Sequence, residues 1–199
     1  RFGHEGVYKT GEVRQVSGGF SYGPEEPGID GDVLALKPLP IDFGYGMSLN
    51  KSITIISGGA AGFFSAICAA QLAQQKGLSS DISIFEASEQ VLKKVKISGG
   101  GRCNVTHHCF EPRELSRNYP RGEKSLIGPF HRFGAADTVD WFASRGVTLK
   151  TEADGRMFPD TDSSQTIIDT LLGAADAAGV SVHTSEGVTS VVKNENSFE

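Results

Sequence analysis

The stretch Ser52–Ser88, SITIISGGAAGFFSAICAAQLAQQKGLSSDISIFEAS, decides the fold of this chain. It opens with a β-branched run that leads directly into glycines, which is typical of a buried parallel strand. An Ala- and Gln-rich segment with good helix propensity follows and closes at Gly77, a natural helix end. The segment Asp81–Ser88 predicts a second strand, ending in Glu86. Strand, helix and strand within about 35 residues match one parallel crossover unit, so we predict an α/β fold with a parallel sheet.

The turn between this first strand and this helix carries a phosphate-binding fingerprint. Rossmann dinucleotide sites place glycines there as G-x-G-x-x-G, and the three positions read Ser57, Gly59 and Gly62. The first position holds serine instead of glycine. A residue with a side chain disfavours the positive φ that this tight turn needs. The first N–H groups of the helix would face phosphate oxygens. Glu86, where the second strand ends, is placed to accept hydrogen bonds from ribose hydroxyls.

Segments further along the chain continue the alternation of helices and strands. Residues 134–146 and 161–179 predict helices, and Asp162 or Ser163 is expected to cap the second. Val147–Lys150 and Val180–Thr184 predict strands. The helices are expected to bury one apolar face each, formed by Val139, Phe142, Ala143, Ile167, Ile168, Leu171, Leu172 and Ala175.

A second glycine-rich stretch, Lys94–Cys109 or KVKISGGGRCNVTHHC, combines glycines, cations, thiols and imidazoles. Three consecutive glycines beside Lys96 and Arg102 indicate a cradle for anionic oxygens. Cys103 and Cys109 leave a redox dithiol open as an alternative. A metal site that adds the two histidines is a further alternative, although the spacing does not match the usual zinc patterns. We predict no metal.

Composition limits the classes of partner. The chain has 199 residues with a formal net charge of −5, so nucleic acid and anionic membranes are not expected as partners. No apolar run approaches the roughly 20 residues of a membrane span. Three cysteines are too few for a disulfide scaffold, which favours a reducing, cytoplasmic setting.

The first 46 residues differ in character from the rest. They hold ten of the 25 glycines and four of the eight prolines, without helical or strand periodicity apart from a short candidate strand at Val33–Leu36. The chain begins with Arg, and Met47 stands just before the first clear strand. We therefore expect residues 1–46 to be an irregular extension outside the fold, and residues 47–199 to form the folded domain.

From Ile53 to Phe198 the sequence resembles the BaiN/YhiN-like NAD(P)/FAD-dependent oxidoreductases. The resemblance is carried by GGAAGFF, IFEAS, KVKISGGGRCNVT, NYPRG, GPFHRFG, TEADGRMFPDTDSSQTIID and SVVKNE. It implies a Rossmann-like, glutathione-reductase-like FAD domain of the type with two dinucleotide-binding regions. It also implies that the chain is the N-terminal part of that domain and stops in the first strand of a β-meander.

The resemblance further implies FAD as cofactor, NAD(P)H as a possible electron donor and a small organic molecule as substrate. It names no catalytic acid or base. Two other functions stay open: a non-catalytic nucleotide-binding or interaction module, and an NAD-dependent dehydrogenase. The residues expected to contact FAD lie in the two glycine-rich stretches and at the second strand end: Ser57, Gly58, Gly59, Ala60, Ala61, Gly62, Glu86, Lys96, Ser98, Gly99, Gly100, Gly101, Arg102, Cys103 and Asn104.

Overall fold

The structure, a computed structural model, describes residues 13–16, 19–22, 51–195 and 197–199. The chain divides into two units, Arg1–Lys37 and Pro38–Glu199. In the first unit, strands β1 (Val13–Val16) and β2 (Gly19–Tyr22) form an antiparallel hairpin that the sequence analysis does not predict. The candidate strand at Val33–Leu36 lies outside the described residues.

The described part of the second unit alternates helices and strands. Its elements are, in chain order, β3 (Lys51–Ile56), α1 (Ala60–Gln75), β4 (Ser80–Glu86), α2 (Lys93–Ile97), a 3₁₀ segment (Ser98–Gly101), β5 (Thr106–His107), α3 (Pro112–Ser116), α4 (Glu123–Arg132), α5 (Ala135–Ala143), β6 (Leu149–Thr151), β7 (Arg156–Pro159), α6 (Ser164–Ala177) and β8 (Ser181–Thr184).

A parallel sheet of order β3-β4-β8 forms the centre of this unit. The middle strand, β4, is the buried one: its Ile82 and Ile84 side chains are 2% and 0% exposed. Helix α1 packs against β4 and against α6, and its Phe63 and Ile67 are fully buried. Each such side chain stabilises the fold by about 1.5–3 kcal/mol relative to an exposed position. The predicted crossover unit and parallel sheet are confirmed.

A smaller antiparallel sheet, of order β5-β7-β6, stands beside the glycine-rich stretch. Its middle strand β7 buries Phe158 completely. The sequence analysis predicts no strand at β7, whose last residue is Pro159. Proline is tolerated at a strand end, where its missing N–H removes little of the ladder.

The two predicted helices, α5 and α6, are present where they were expected, but the cap of α6 and part of the buried faces differ from the prediction. Ser163, not Asp162, caps α6 by accepting from the N–H of Gln165. Leu172 is 37% exposed although it was expected in the apolar face, and Ala143 at the end of α5 is also exposed. The expected neighbours on α6 are buried, and they are Ile167, Ile168, Leu171 and Ala175.

The C-terminal residues form a turn rather than the expected strand. In the described part of 187–199, pairing consists of one isolated antiparallel bridge between Lys193 and Phe198. The N–H of Val192 also donates to the carbonyl of Glu199 at 2.7 Å. Among the described residues, no helix has both the length and the apolarity needed to cross a membrane.

Candidate dinucleotide site

The turn between β3 and α1 has the close packing that the fingerprint predicts. Ser57 has a φ of +120°, a region that a residue with a Cβ rarely adopts. Its carbonyl oxygen fills the space that a Cβ on Gly62 would need. A Cβ on Gly58 would come within 2.6 Å of a methyl group of Val91. Glycine is therefore required by contact at both positions, whereas the departure at Ser57 costs backbone strain.

The first turn of α1 presents N–H groups that have no hydrogen-bond partner among the described residues. Its N-terminal cap is Gly59, which has no side chain to accept from them, and the first turn carries no acidic residue. The first helical hydrogen bond runs from the N–H of Phe63 to the carbonyl of Gly59. The N–H groups of Ala60, Ala61 and Gly62 precede it and point out of the helix end, where the helix dipole favours an anion.

Glu86 is locked to the same turn. One oxygen of its carboxylate, Oε2, accepts from the N–H of Gly58 at 2.8 Å. The other, Oε1, accepts from the hydroxyl of Ser88 at 2.7 Å and from the N–H of Ser88 at 3.0 Å. These hydrogen bonds, with those from Ser88 the strongest, lower the pKa of Glu86 to about 2. The group is an ionised acceptor, and the remaining acceptor site on its Oε2 suits a hydroxyl donor such as that of a ribose.

A five-residue helix joins this turn to the second glycine-rich stretch. The N–H of Leu92, the cap of α2, donates to the carbonyl of Gly58 at 2.7 Å. Helix α2 then ends at Ile97, directly before Ser98. A helix of that length spans roughly 8 Å along its axis, which is within the length of a dinucleotide. The two glycine bends therefore stand at the two ends of one short helix.

Consecutive left-handed residues shape the second bend. Gly99, Gly100 and Gly101 have φ values of +55°, +70° and +86°, and Cys103 has +65°. A Cβ on Gly99 would come within 2.7 Å of the Phe158 ring, whereas the space beside Gly100 is open to 4 Å. The bend thus packs on β7 through one glycine and leaves the space beside the next one open, and successive left-handed residues of this kind can form an anion-binding nest.

The two cations assigned to this stretch, Arg102 and Lys96, differ in their ion-pair partners. The Arg102 guanidinium pairs with Glu152, lies 3.5 Å from Asp162 and stacks 4.1 Å over the Phe158 ring. Both carboxylates contact Nη1, which leaves the donors on Nη2 and Nε, and the assignment of Arg102 to a phosphate stays a prediction. Lys96 is exposed and its side chain forms no ion pair with the described residues. Its carbonyl accepts from the Ser164 hydroxyl at 2.8 Å, which ties α2 to α6.

The cysteines do not resemble a working dithiol. All three are free, and burial raises the pKa of both Cys103 and Cys109, so their thiols stay protonated at neutral pH. Redox-active cysteines need a thiolate, which requires a lowered pKa. Within the described residues, no group of three or more His, Cys, Asp or Glu side chains is placed to hold a metal ion.

A cavity that sequence reasoning missed lies beyond Asn104. Its volume is about 400 Å³, within the usual range for small-molecule sites. The wall contains the aromatic rings of Tyr119, Phe130 and Phe133 together with the polar groups of Asn104 and Thr138. Its lining includes His107, and no Asp, Glu, Lys or Arg among the described residues lines it. The aromatic residues of NYPRG and GPFHRFG were the available signal, but only folding brings those segments together.

Known proteins resemble the chain over this same region. Residues 51–199 match the family model described as the HI0933-like protein Rossmann domain. The chain is 31% identical over 144 residues to the ribosomal RNA dihydrouridine synthase of Escherichia coli (strain K12), covering 72% of the chain and 34% of that relative. It is 29% identical over 119 residues to the 3-dehydro-bile acid delta(4,6)-reductase of Clostridium scindens, covering 60% and 27%.

The crystal structure of Thermovibrio ammonificans THI4 aligns with a TM-score of 0.44 and 14% identity, covering 74% of this chain and 45% of that one. The chain spans about a third or less of the length of the curated relatives it matches. Because the family match covers well over half of the chain, this protein belongs to the HI0933-like Rossmann-domain family, the FAD-binding family that includes the BaiN/YhiN-like proteins.

Proposed function

We propose that this chain holds FAD for a flavin-dependent oxidoreductase. The observation that best supports this proposal is the turn at Ser57–Gly62, which fixes the side chain of Glu86 and the start of α1 relative to one another. The first-turn N–H groups of α1 would hold the diphosphate, and Glu86 the ribose hydroxyls. The exposed backbone at Gly100 would lie along the same cofactor towards its flavin end.

Bound FAD would supply hydride chemistry, and the residues of this chain would position it and shape its surroundings. The wall next to Asn104 is partly aromatic, which suits a flat organic ring. Reduced nicotinamide is the proposed electron donor and an organic small molecule the proposed acceptor. The names of the two curated relatives support a reduction, since one makes dihydrouridine and the other is a reductase.

FAD binding by the purified chain tests this proposal. We expect flavin fluorescence to fall on titration with the chain, and the flavin absorption bands to shift. NAD shares the ADP half of FAD but lacks the flavin, so it should compete much more weakly than FAD itself, which separates this function from an NAD-dependent dehydrogenase. Glu86→Ala should weaken FAD binding at least tenfold because the ribose loses its ionised acceptor, while Glu89→Ala, at an exposed neighbouring carboxylate, should not. Equal binding by both variants would reject the ribose assignment.

A further inference from the structure

A second cavity, the α1–α6 cavity, lies between helices α1 and α6. Its volume is about 430 Å³, within the usual range for small-molecule sites. Gln71, which lines it, is in α1 and comes nine residues after Gly62, and that length of α-helix rises by roughly 14 Å. The cavity is therefore separate from the turn assigned to FAD. The residues of its wall that matter below are Gln71, Arg145, Asp169, Gly173 and Ala177.

Arg145 gives this cavity a positive charge that no carboxylate neutralises. Among the described residues it has no ion-pair partner. Its Nη1 donates to the carbonyl of Trp141 at 2.9 Å and to the hydroxyl of Ser144 at 3.0 Å. The guanidinium carbon stands 3.9 Å from the centre of the Trp141 ring. The N–H groups of Nε and Nη2 have no hydrogen-bond partner in the part of the chain that the structure describes.

These contacts fix the guanidinium and leave one of its edges unused. The Nε and Nη2 edge of an arginine presents parallel N–H groups that match the two oxygens of a carboxylate. Because two hydrogen bonds and a stacked ring already hold Arg145, little side-chain freedom remains to be lost on binding. Burial lowers the pKa of Arg145, which is the effect of partial desolvation of its charge. A carboxylate in the cavity would compensate that charge.

The opposite charge lines the same cavity without pairing with Arg145. Asp169, on α6, accepts from the side-chain amide of Gln165 at 2.7 Å through Oδ1, and it forms no ion pair with a described cation. A ligand that carries both an anionic and a cationic group can therefore use both side chains. An anion alone would gain from Arg145 but would be repelled by Asp169.

The rest of the α6 wall is small and apolar. Gly173 and Ala177 line the cavity, and a Cβ on Gly173 would meet nothing within 4 Å. This part of the wall leaves room for an apolar group of the ligand. On the α1 side, the amide of Gln71 offers neutral donors and acceptors.

We propose that the α1–α6 cavity binds an α-amino acid with a branched apolar side chain. The carboxylate of the ligand pairs with Arg145, its ammonium group with Asp169, and its side chain lies against the small residues of α6. The dinucleotide turn and the cavity beside Asn104 take no part in this site. The inference is therefore independent of FAD binding.

Isothermal titration calorimetry of the whole chain with L-leucine tests the site. We expect saturable binding of L-leucine. Isocaproate, which lacks the ammonium group, and isoamylamine, which lacks the carboxylate, should each bind at least tenfold more weakly, because each leaves one charged side chain without its partner. No binding of L-leucine, or equal affinities for the three compounds, would overturn the proposal.

Two substitutions assign the charges to the ligand groups. Arg145→Gln should weaken L-leucine binding at least tenfold, whereas Arg132→Gln, at an exposed arginine elsewhere, should leave it unchanged. Asp169→Asn should weaken L-leucine binding by a similar factor without weakening that of isocaproate, which has no ammonium group to lose. Unchanged affinity for L-leucine in Arg145→Gln or Asp169→Asn, or an equal loss in Arg132→Gln, would contradict the assignment.

Gly173→Leu blocks the cavity without changing a charge. The new side chain occupies the open space beside residue 173, and leucine favours a helix more than glycine does, so the thermal midpoint without ligand should not fall. L-leucine binding should weaken at least tenfold. This variant decides the question even if Arg145→Gln, which loses its contact with Trp141, fails to fold. Full L-leucine binding by Gly173→Leu would place the ligand elsewhere and overturn the proposal.

Discussion

The carbonyl oxygen of Ser57 stands where a side chain on residue 62 would have to be. This one contact lets α1 start directly against the end of β3, so that its first N–H groups face the turn. A methyl group cannot be accommodated there by a rotamer change, because the obstacle is backbone. The last glycine of the fingerprint, Gly62, is therefore required by backbone packing.

Gly62→Ala should therefore destabilise the fold by about 3 kcal/mol or more and weaken FAD binding at least tenfold, since the helix start must move. Thermal unfolding and FAD titration measure the two effects. Gly173→Ala is the matched control, because that glycine is in α6 and a Cβ there meets nothing within 4 Å. It should stabilise the chain by up to about 1 kcal/mol. A Gly62→Ala protein with normal stability would show that the turn is looser than described.

Ser57→Gly should stabilise the chain and tighten FAD binding. The φ of +120° costs a residue with a Cβ about 1–3 kcal/mol, whereas added unfolded-state freedom of glycine costs about 0.4–1 kcal/mol. The expected net gain in unfolding free energy is about 1 kcal/mol, measurable by urea denaturation. Ser57→Ala keeps the Cβ and should give no gain. If both variants gained equally, the serine hydroxyl rather than backbone strain would be the cause.

Glu86→Gln should lower stability near neutral pH and matter less in acid. The pKa of Glu86 is lowered to about 2 in the folded chain from an ordinary 4.5, so folding favours the ionised form. That contribution is fully present above pH 4.5 and is lost as the pH falls towards 2. Unfolding midpoints of the two proteins should differ at pH 7 and converge as the pH falls through about 2. A difference independent of pH would mean that the Glu86 charge contributes nothing.

Gly100→Ala separates a role in binding from a role in folding. Gly100 and Gly146 both have left-handed φ values, +70° and +77°, and a Cβ on either meets nothing within 4 Å. Alanine at each should cost a similar 1–2 kcal/mol of stability. Only Gly100→Ala should also weaken FAD binding, as measured by flavin fluorescence at a temperature where both variants are folded. Equal FAD affinities would remove the second glycine bend from the cofactor site.

The sequence predicted the crossover unit because its signals are local. A β-branched run, a glycine turn, an Ala-rich helix and a strand ending in Glu86 follow each other without interruption. Even the departure at Ser57 was readable, since its positive φ follows from its place in the fingerprint. The hydrogen bond from the N–H of Gly58 to the carboxylate of Glu86 joins residues that are 28 apart in the sequence. Only the known spacing of such turns makes it predictable.

Other features depend on contacts that no local pattern encodes. Helix α4 contains Pro129 after Gly128, a pair that normally marks a break, yet the helix continues through it to Arg132. The contact between Nη1 of Arg102 and Glu152 joins residues 50 apart in sequence, and no local pattern predicts it. The cavity likewise needs segments around residues 104, 119, 130 and 138 to meet.

Titration of FAD with the unmodified chain, Gly62→Ala and Gly100→Ala, followed by quenching of flavin fluorescence, tests the central claim most directly. If both glycine bends hold one dinucleotide, the unmodified chain quenches to saturation, and each variant requires at least tenfold more protein. ADP, which contains the diphosphate without the flavin, should compete for the unmodified chain. The absence of quenching by the unmodified chain, or unchanged affinity in either variant, would contradict the account.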